Sequence, residues 1–261
     1  MNLSLDNKNA LVCGSTQGIG LAIARQLAIQ GATCTLMARD EGSLAKAVAS
    51  LDNSSGQSHQ YLIADFSDLE QVRAEAARHT ETQDIHILIN NTGGPPPGPI
   101  VEASTVDFAK AFSMHILCYQ TLAQAALPSM KKAGYGRIIN IVSTSVKIPI
   151  ANLGVSNTIR AATAGWAKTL ANEAGPYGIT VNNILPGFTM TKRLEGLIAS
   201  IANSNGHSIE AVADSIKAEI PARRFGNASE IADLAGFLAS PSASYVNGSS
   251  IPVDGGRTGS I

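Results

Sequence analysis

The stretch Val12–Gly20, VCGSTQGIG, decides the fold because three glycines follow a short apolar run and precede a segment of helical period. At a turn from strand to helix, Gly14 permits the tight turn, Gly18 lets the backbone approach a diphosphate, and Gly20 lets the helix pack closely against the sheet. The free N–H groups at the start of the helix favour a phosphate. The spacing G-x-x-x-G-x-G therefore predicts a dinucleotide site, although the glycines alone also fit an ordinary turn.

The rest of the chain alternates short apolar runs with longer helical patterns. Strands are predicted at Ala10–Cys13, Thr33–Met37, Tyr61–Ala64, Ile85–Ile89, Arg137–Val142, Thr180–Leu185 and Ser249–Val253. Helices are predicted at Ile19–Ile29, Leu69–His79, Val106–Ala126, Thr158–Glu173 and Ser229–Ala239. Strands that are separated by crossover helices form a parallel sheet. The pattern predicts a single α/β domain over residues 1–261, with a doubly wound parallel sheet.

Composition limits the classes of partner. A net charge of -1 gives no case for nucleic acid or an anionic membrane surface. The three cysteines lack a paired spacing, which is typical of free thiols in a reducing cytoplasm, and no run of apolar residues is long enough to span a membrane. The histidines and acids show no metal-ligand spacing, so no metal site is predicted. Residues 188–220 are small, polar and helix-prone, and they are predicted to form a mobile lid over the substrate.

The end of the second predicted strand bears on which nucleotide binds. An acidic residue there binds the 2′-hydroxyl of the adenosine ribose, whereas an arginine accommodates a 2′-phosphate. The sequence carries Arg39 followed by Asp40, so NADP is favoured and NAD remains the alternative. Arg39 also fits an ordinary solvated loop charge.

These motifs, with others in the same order, resemble the short-chain dehydrogenase/reductase family, especially its 3-oxoacyl-carrier-protein-reductase-like branch. The others are ADF at 64–66, NNTG at 90–93, PG at 186–187 and the C-terminal stretch from RRFG to VDGG, and the resemblance covers nearly the whole chain. It implies a seven-stranded Rossmann fold, a small carbonyl or alcohol substrate, and a homo-tetramer or homo-dimer. The implied and predicted cofactor contacts are Gly14, Ser15, Gly18, Ile19, Gly20, Arg39, Asp65, Asn91, Gly93, Arg160, Pro186, Gly187 and Thr189.

The resemblance also implies four catalytic groups, and three of them are replaced. Ser143 occupies the position of the serine that holds the substrate oxygen. Ser156 stands where the family has its proton-donating tyrosine, and Arg160 stands where it has the lysine one helical turn later. His115 replaces the asparagine that anchors a water relay. None of the five tyrosines has a lysine four residues on, so the difference is not one of register.

The replacements still carry usable chemistry. Arg160 keeps a cation for the ribose but cannot give up a proton, and Ser156 can hydrogen-bond a carbonyl. An unperturbed His115 titrates near neutral pH. The hypothesis is that His115, alone or through Ser156 and water, replaces the tyrosine as proton source, with Tyr119 orienting it or joining the relay. The alternative is a histidine that is packed structurally. A Ser143/Lys147 hydrolase is the less favoured interpretation, because nothing indicates an oxyanion hole.

Three functions follow from these residues. The first is an NADP-dependent oxidoreductase with a divergent proton donor, which the surviving Ser143 and the polar replacements favour. The second is a dinucleotide-binding protein without redox activity, serving as a sensor or oligomer partner. The third keeps the fold but has lost nucleotide affinity, and the intact glycine loop argues against it.

Overall fold

One seven-stranded sheet organises the computed structural model, which describes residues 1–260. Its order is β3-β2-β1-β4-β5-β6-β7, and every neighbouring pair is parallel. The strands are β1 Asn9–Cys13, β2 Thr33–Ala38, β3 Gln60–Ile63, β4 Ile87–Asn90, β5 Gly136–Ile141, β6 Ile179–Pro186 and β7 Ser250–Val253. The prediction of a single doubly wound α/β domain is confirmed. The order reverses between β1 and β4, which is where such sheets bind their ligands.

Helices cover both faces of the sheet. They are α1 Gly18–Ile29, α2 Glu41–Ala49, α3 Leu69–Thr80, α4 Thr105–Phe112, α5 Cys118–Ala133, α6 Gly154–Ala174, α7 Lys192–Asn205, α8 Ile209–Ala218 and α9 Ala228–Ala239. Alternate residues of β1 point to opposite faces: Ala10 and Val12 pack with α1 and α9, whereas Leu11 and Cys13 pack with α3, α5 and α6. Burial on both faces explains why the strands are apolar throughout.

The helix predicted over 106–126 is interrupted in the structure. Between α4 and α5 the backbone forms a π-helical segment at Ser113–Leu117, which contains the buried His115. Such segments are rare and occur often at functional sites. α6 also begins at Gly154 rather than Thr158, so Ser156 lies in its first turn. α2 was not predicted, because its nine residues bury only Leu44 and Ala47.

The segment 188–220, predicted as a lid, consists mainly of α7 and α8. These two helices share a small apolar core of their own, which is separate from the two cores of the sheet and comprises Leu194, Ile198, Ala202, Val212, Ile216, Ile220 and Phe225. The side chain of Thr191 caps α7 by accepting a hydrogen bond from the Leu194 amide. Among residues 1–260, no helix has both the length and the apolarity needed to cross a bilayer.

Candidate active site

The glycine loop after β1 has no room for side chains. Gly14 adopts φ +55°, and a Cβ there would lie 2.5 Å from the Asn91 carbonyl oxygen. A Cβ on Gly20 would lie 2.2 Å from the Gly14 carbonyl oxygen, which confirms the close packing predicted for α1. Asn91 holds the loop in place, because its Nδ2 donates to the Gly14 carbonyl at 3.0 Å. The backbone at the switch point is therefore fixed by contacts that only glycine allows.

The same loop fits a diphosphate. Gly18 has φ +56°, and a Cβ there would come within 3.3 Å of Thr191, so the glycine lets the loop lie close to the start of α7. Ser15 is fully buried, and its hydroxyl has no hydrogen-bond partner within residues 1–260. A buried hydroxyl without a partner is uncommon, and a phosphate oxygen would satisfy it. The loop and the N-terminus of α1 are thus suited to the phosphates of a dinucleotide.

The end of β2 separates the roles of Arg39 and Asp40. The Asp40 carboxylate caps α2, accepting a hydrogen bond from the Ser43 amide at 2.7 Å. The bonds from Ser43 lower the pKa of Asp40. Arg39 is exposed and, within residues 1–260, has no ion-pair partner. Asp40, whose carboxylate could have bound a ribose hydroxyl, is therefore engaged in capping α2, whereas Arg39 has no carboxylate partner.

The other predicted cofactor contacts lie at the same edge of the sheet. Asp65 follows β3 half-buried, and its Oδ1 accepts hydrogen bonds from the amide and hydroxyl of Ser67, both at 2.8 Å. These bonds lower the pKa of Asp65, so it is an anion that can accept from an amine. Pro186 ends β6, Gly187 packs against Asp254, and the buried Thr189 hydroxyl donates to the Gly187 carbonyl at 3.2 Å.

A row of amides links the central strands behind the site. Asn90 Nδ2 donates to Asn140 Oδ1, and Asn140 Nδ2 donates to Asn183 Oδ1, both at 2.8 Å. Asn183 Nδ2 then donates to Ser250 Oγ at 3.0 Å. These residues are direct register partners on β4, β5, β6 and β7. The row pairs most of the side-chain polar groups that these strands bury, although Asn90 Oδ1 has no partner within residues 1–260, and it ties the four strands together.

Ser143, Ser156 and Arg160 belong to one region at the end of β5. Ser143 is half-buried directly after the strand, and its Oγ accepts from the Ser145 amide at 3.1 Å. Ser156 and Arg160 lie on the buried face of α6, one turn apart. Arg160 is 6% exposed, and its Nη1 donates to the Ile141 carbonyl at 3.1 Å, so the guanidinium reaches the carboxyl end of β5. Lys147, by contrast, is exposed, which removes support for a Ser/Lys hydrolase.

Thr92 joins His115 and Tyr119 into one hydrogen-bonded group. Its Oγ1 lies 2.8 Å from His115 Nδ1 and 3.2 Å from the Tyr119 hydroxyl. The two rings meet edge to face, with centroids 6.0 Å apart, and both side chains are fully buried. Arg160 lies close enough for its charge to act on the phenol, and it lowers the pKa of Tyr119 against the larger rise caused by burial. The phenol therefore has a hydrogen-bonded hydroxyl and a permanent cation as neighbours.

The expectation that His115 titrates near neutral pH is wrong. Burial, reinforced by the positive charges of Arg160 and Arg193, lowers the pKa of His115 to about 3. At neutral pH the ring is uncharged and cannot donate a proton as an imidazolium does. Burial also raises the pKa of Tyr119, and Arg160 offsets part of that rise. The tyrosine consequently holds a proton that the neighbouring guanidinium makes easier to release.

Thr92 and Arg193 were missed by sequence reasoning. Thr92 stands at a position where the family usually has alanine, and this departure was the available signal. Arg193 comes from the first turn of α7, and both of its terminal nitrogens lie 2.8 Å from the point that a Cβ of Gly94 would occupy. Nothing in the local pattern around Arg193 indicated that it reaches the loop after β4. Within residues 1–260, no cluster of three or more His, Cys, Asp or Glu side chains is suited to a metal.

A parallel sheet with a glycine loop at its switch point defines a dinucleotide-binding α/β protein. Residues 14–258 match the family model described as "Enoyl-(Acyl carrier protein) reductase". NADPH-dependent reductase BacG of Bacillus subtilis (strain 168) is 32% identical over 260 residues, covering 98% of this chain and 100% of BacG. The 3-oxoacyl-[acyl-carrier-protein] reductase FabG of Pseudomonas aeruginosa is 34% identical over 258 residues, covering 97% and 98%.

A solved structure agrees with these relatives. L-sorbose reductase from Gluconobacter frateurii, complexed with NADPH and L-sorbose, superposes with a TM-score of 0.94 at 30% identity, covering 100% of both chains. The chain belongs to the short-chain dehydrogenase/reductase family. The resemblance seen in the sequence, and the fold that it implied, are confirmed.

Proposed function

We propose that the protein is an NADP(H)-dependent oxidoreductase that reduces a carbonyl group, as in a ketone, aldehyde or 3-oxoacyl compound, or oxidises the corresponding alcohol. The prediction of NADP agrees with the NADPH-dependent relatives and with the free Arg39. When bound, NADPH supplies the hydride for the carbonyl carbon. The chain's own residues must hold the substrate oxygen and deliver one proton to it, and this second task is where the chain departs from its family.

The proposed proton donor is Tyr119, and the observation that carries it is the buried group of Thr92, His115 and Tyr119, whose phenol lies near enough to Arg160 for the guanidinium to lower the pKa of Tyr119 against the effect of burial. Bringing a tyrosine from a pKa near 10 to neutrality takes about 4 kcal/mol of electrostatic stabilisation. A guanidinium beside the phenolate contributes to this as a lysine would, because it offers a permanent positive charge. The pairing of phenol and cation is thus rebuilt with the phenol on α5 and the cation on α6.

The remaining polar residues complete the proposed site. Ser143 and Ser156 hold the substrate oxygen by hydrogen bonds, and neither hydroxyl is acidic enough to act alone. Thr92 provides the exchange route for the proton, because its hydroxyl contacts both Tyr119 and His115. His115 remains in the site as a neutral hydrogen-bonding group rather than as the acid. Arg160 cannot pass protons, so its contribution is charge and position only.

Three further features belong to this proposal. Residues 188–220 act as the lid, since their separate core lets α7 and α8 move as a unit. The chain forms a homo-dimer or homo-tetramer, because apolar side chains of α4 and the π segment are exposed, namely Val106, Phe112 and Leu117. The protein works in the cytoplasm, in keeping with three buried free cysteines.

The direct test is NADPH oxidation by the wild-type protein across a panel of ketones, aldehydes and 3-oxoacyl thioesters, preceded by fluorescence titration with NADPH and NADH. We expect tight NADPH binding and turnover of at least one compound, with Ser143→Ala lowering kcat. Ser242→Ala, at an exposed position, is the matched control. Binding without turnover across the panel would instead support the dinucleotide-binding protein without redox activity, and absence of binding would contradict both functions.

A further inference from the structure

The reaction centre contains a buried positive charge without a negative partner. Arg160 is 6% exposed, and within residues 1–260 no carboxylate lies within ion-pairing distance of it. Its hydrogen-bond partner is the uncharged Ile141 carbonyl, and the protonated Tyr119 is a further uncharged neighbour. Burying a guanidinium in this way is costly, and proteins normally offset the cost with a counterion. Burial lowers the pKa of Arg160, because the charged guanidinium is less stable away from water.

A second arginine, Arg193, meets Arg160 next to Gly94. Arg193 Nη1 and Nη2 lie 2.8 Å, and Arg160 Nη2 lies 3.2 Å, from the position that a Cβ of Gly94 would take. The two like charges repel each other, and the charge of Arg193 further lowers the pKa of Arg160. Arg193 is exposed on the first turn of α7 and, within residues 1–260, also lacks a carboxylate partner.

The other groups facing the pair add no negative charge. His115 is neutral and fully buried, and its Nε2 has no hydrogen-bond partner within residues 1–260. Tyr119 keeps its proton because burial raises its pKa. The small Gly94 leaves the approach open, since any side chain there would collide with both guanidinium groups. Two arginine forks thus meet at the loop after β4 with no negative partner, an arrangement whose donors suit an anion.

We propose that Arg193 binds a carboxylate of the substrate while the nearby Arg160 attracts it at longer range, so that the carbonyl compound reduced is an oxo acid and the alcohol oxidised is a hydroxy acid. The proposal rests on the oxidoreductase function above and specifies its substrate class. The phosphates of NADP(H) have their own places, at the glycine loop and at Arg39. The arginine pair meets instead at Gly94, in the loop after β4, and Arg160 of that pair reaches the carboxyl end of β5, where Ser143 follows.

A carboxylate at this place would also assist closure of the lid. Arg193 is carried by α7, whereas Arg160 is fixed on α6 against the end of β5. An anion between the two guanidinium groups replaces their repulsion by attraction to both. Bound substrate therefore draws the N-terminus of α7 toward the reaction centre, and this coupling links recognition of the acid to exclusion of water.

The test compares 2-oxo acids of increasing size with their methyl esters, using calorimetric binding to the NADP-saturated protein and, separately, NADPH oxidation. We expect each acid that fits to bind at least about 10-fold more tightly than its ester, and Arg193→Gln to reduce acid affinity by roughly 10- to 100-fold while ester affinity is unchanged. Lys217→Gln, on the neighbouring helix α8, is the control and should leave both affinities unchanged. Acid binding should also raise the pKa of His115, observed by NMR, because it neutralises Arg193, whose charge helps to lower that pKa.

The outcomes separate this inference from the proposed function. Binding of acids without turnover would support the anion site even if the redox function failed. Turnover of neutral carbonyl compounds with no preference for acids would overturn the anion site and leave the oxidoreductase standing. If Arg193→Gln weakened NADPH binding and left acid binding unchanged, the arginine would serve the cofactor's phosphates and the inference would be wrong.

Discussion

The two halves of the ligand-binding edge are held in different ways. After β1, the glycine loop is defined by backbone atoms at contact distance, so its geometry tolerates almost no substitution. After β4 and β5, the reaction centre is defined by side chains from α5, α6 and α7 that reach the loops at the carboxyl edge of the sheet. The first half keeps the family's residues, whereas three of the four catalytic positions in the second are changed. A cavity built from side chains can exchange the element that supplies a group, but a backbone cradle cannot.

The largest effect on stability and on NADPH binding is expected in the glycine loop, from Gly20→Ala. The new Cβ would lie 2.2 Å from the Gly14 carbonyl oxygen, so the loop must shift. We expect the free energy of unfolding to fall by about 1–3 kcal/mol and NADPH affinity to fall below detection. The control Gly196→Ala lies in α7 with open space around it and should stabilise the helix slightly. Denaturant titration would measure the free energy of unfolding, and fluorescence would measure the NADPH affinity. Undiminished NADPH binding by Gly20→Ala would contradict the claim that the glycine loop tolerates almost no substitution.

A smaller effect is expected at the end of β2, where a side chain rather than the backbone determines the preference for NADPH over NADH. Arg39→Ala should raise the Kd for NADPH by roughly 10- to 100-fold and leave the Kd for NADH nearly unchanged. Asp40→Ala is the matched neighbour: it removes the cap of α2 and lowers Tm without changing the ratio of the two affinities. A stronger loss of NADH binding in Asp40→Ala would show that the carboxylate binds the ribose instead.

The buried His115 of the reaction centre should also affect how the free energy of unfolding depends on pH. His115 has a pKa of about 3 in the folded protein and about 6.5 when unfolded, so below pH 6.5 the unfolded state binds one more proton. Stability should therefore fall by about 1.4 kcal/mol for each pH unit of acidification from this group. His115→Asn should show a shallower slope in denaturant titrations between pH 6.5 and 5. His79 and His86 also have pKa values lowered by burial, but their contribution is common to both proteins. Equal slopes would contradict the burial of a neutral His115.

The fold was predictable because its signals are local. Apolar runs separated by helical patterns and the three glycines around Ile19 fix the parallel sheet and its ligand-binding edge. The role of Asp40 could not be predicted from the sequence, because Asp40 caps α2, a short helix with a weak apolar face. The sequence placed Ser143, Ser156 and Arg160 in one region, but the group that Arg160 contacts could not be inferred. Thr92 and Tyr119 come from different elements, and the π segment alters the helix on which periodicity was counted.

The central claim is that the proton donor has moved from α6 to Tyr119 while the cofactor site is unchanged. Its most direct test is Tyr119→Phe, with NADPH affinity and single-turnover reduction of a confirmed substrate measured on the same sample. We predict an unchanged Kd for NADPH and a rate lowered by about 100-fold or more. The exposed Tyr245→Phe serves as control and should match the wild type. A Tyr119→Phe protein that reduces its substrate at the wild-type rate would contradict the claim.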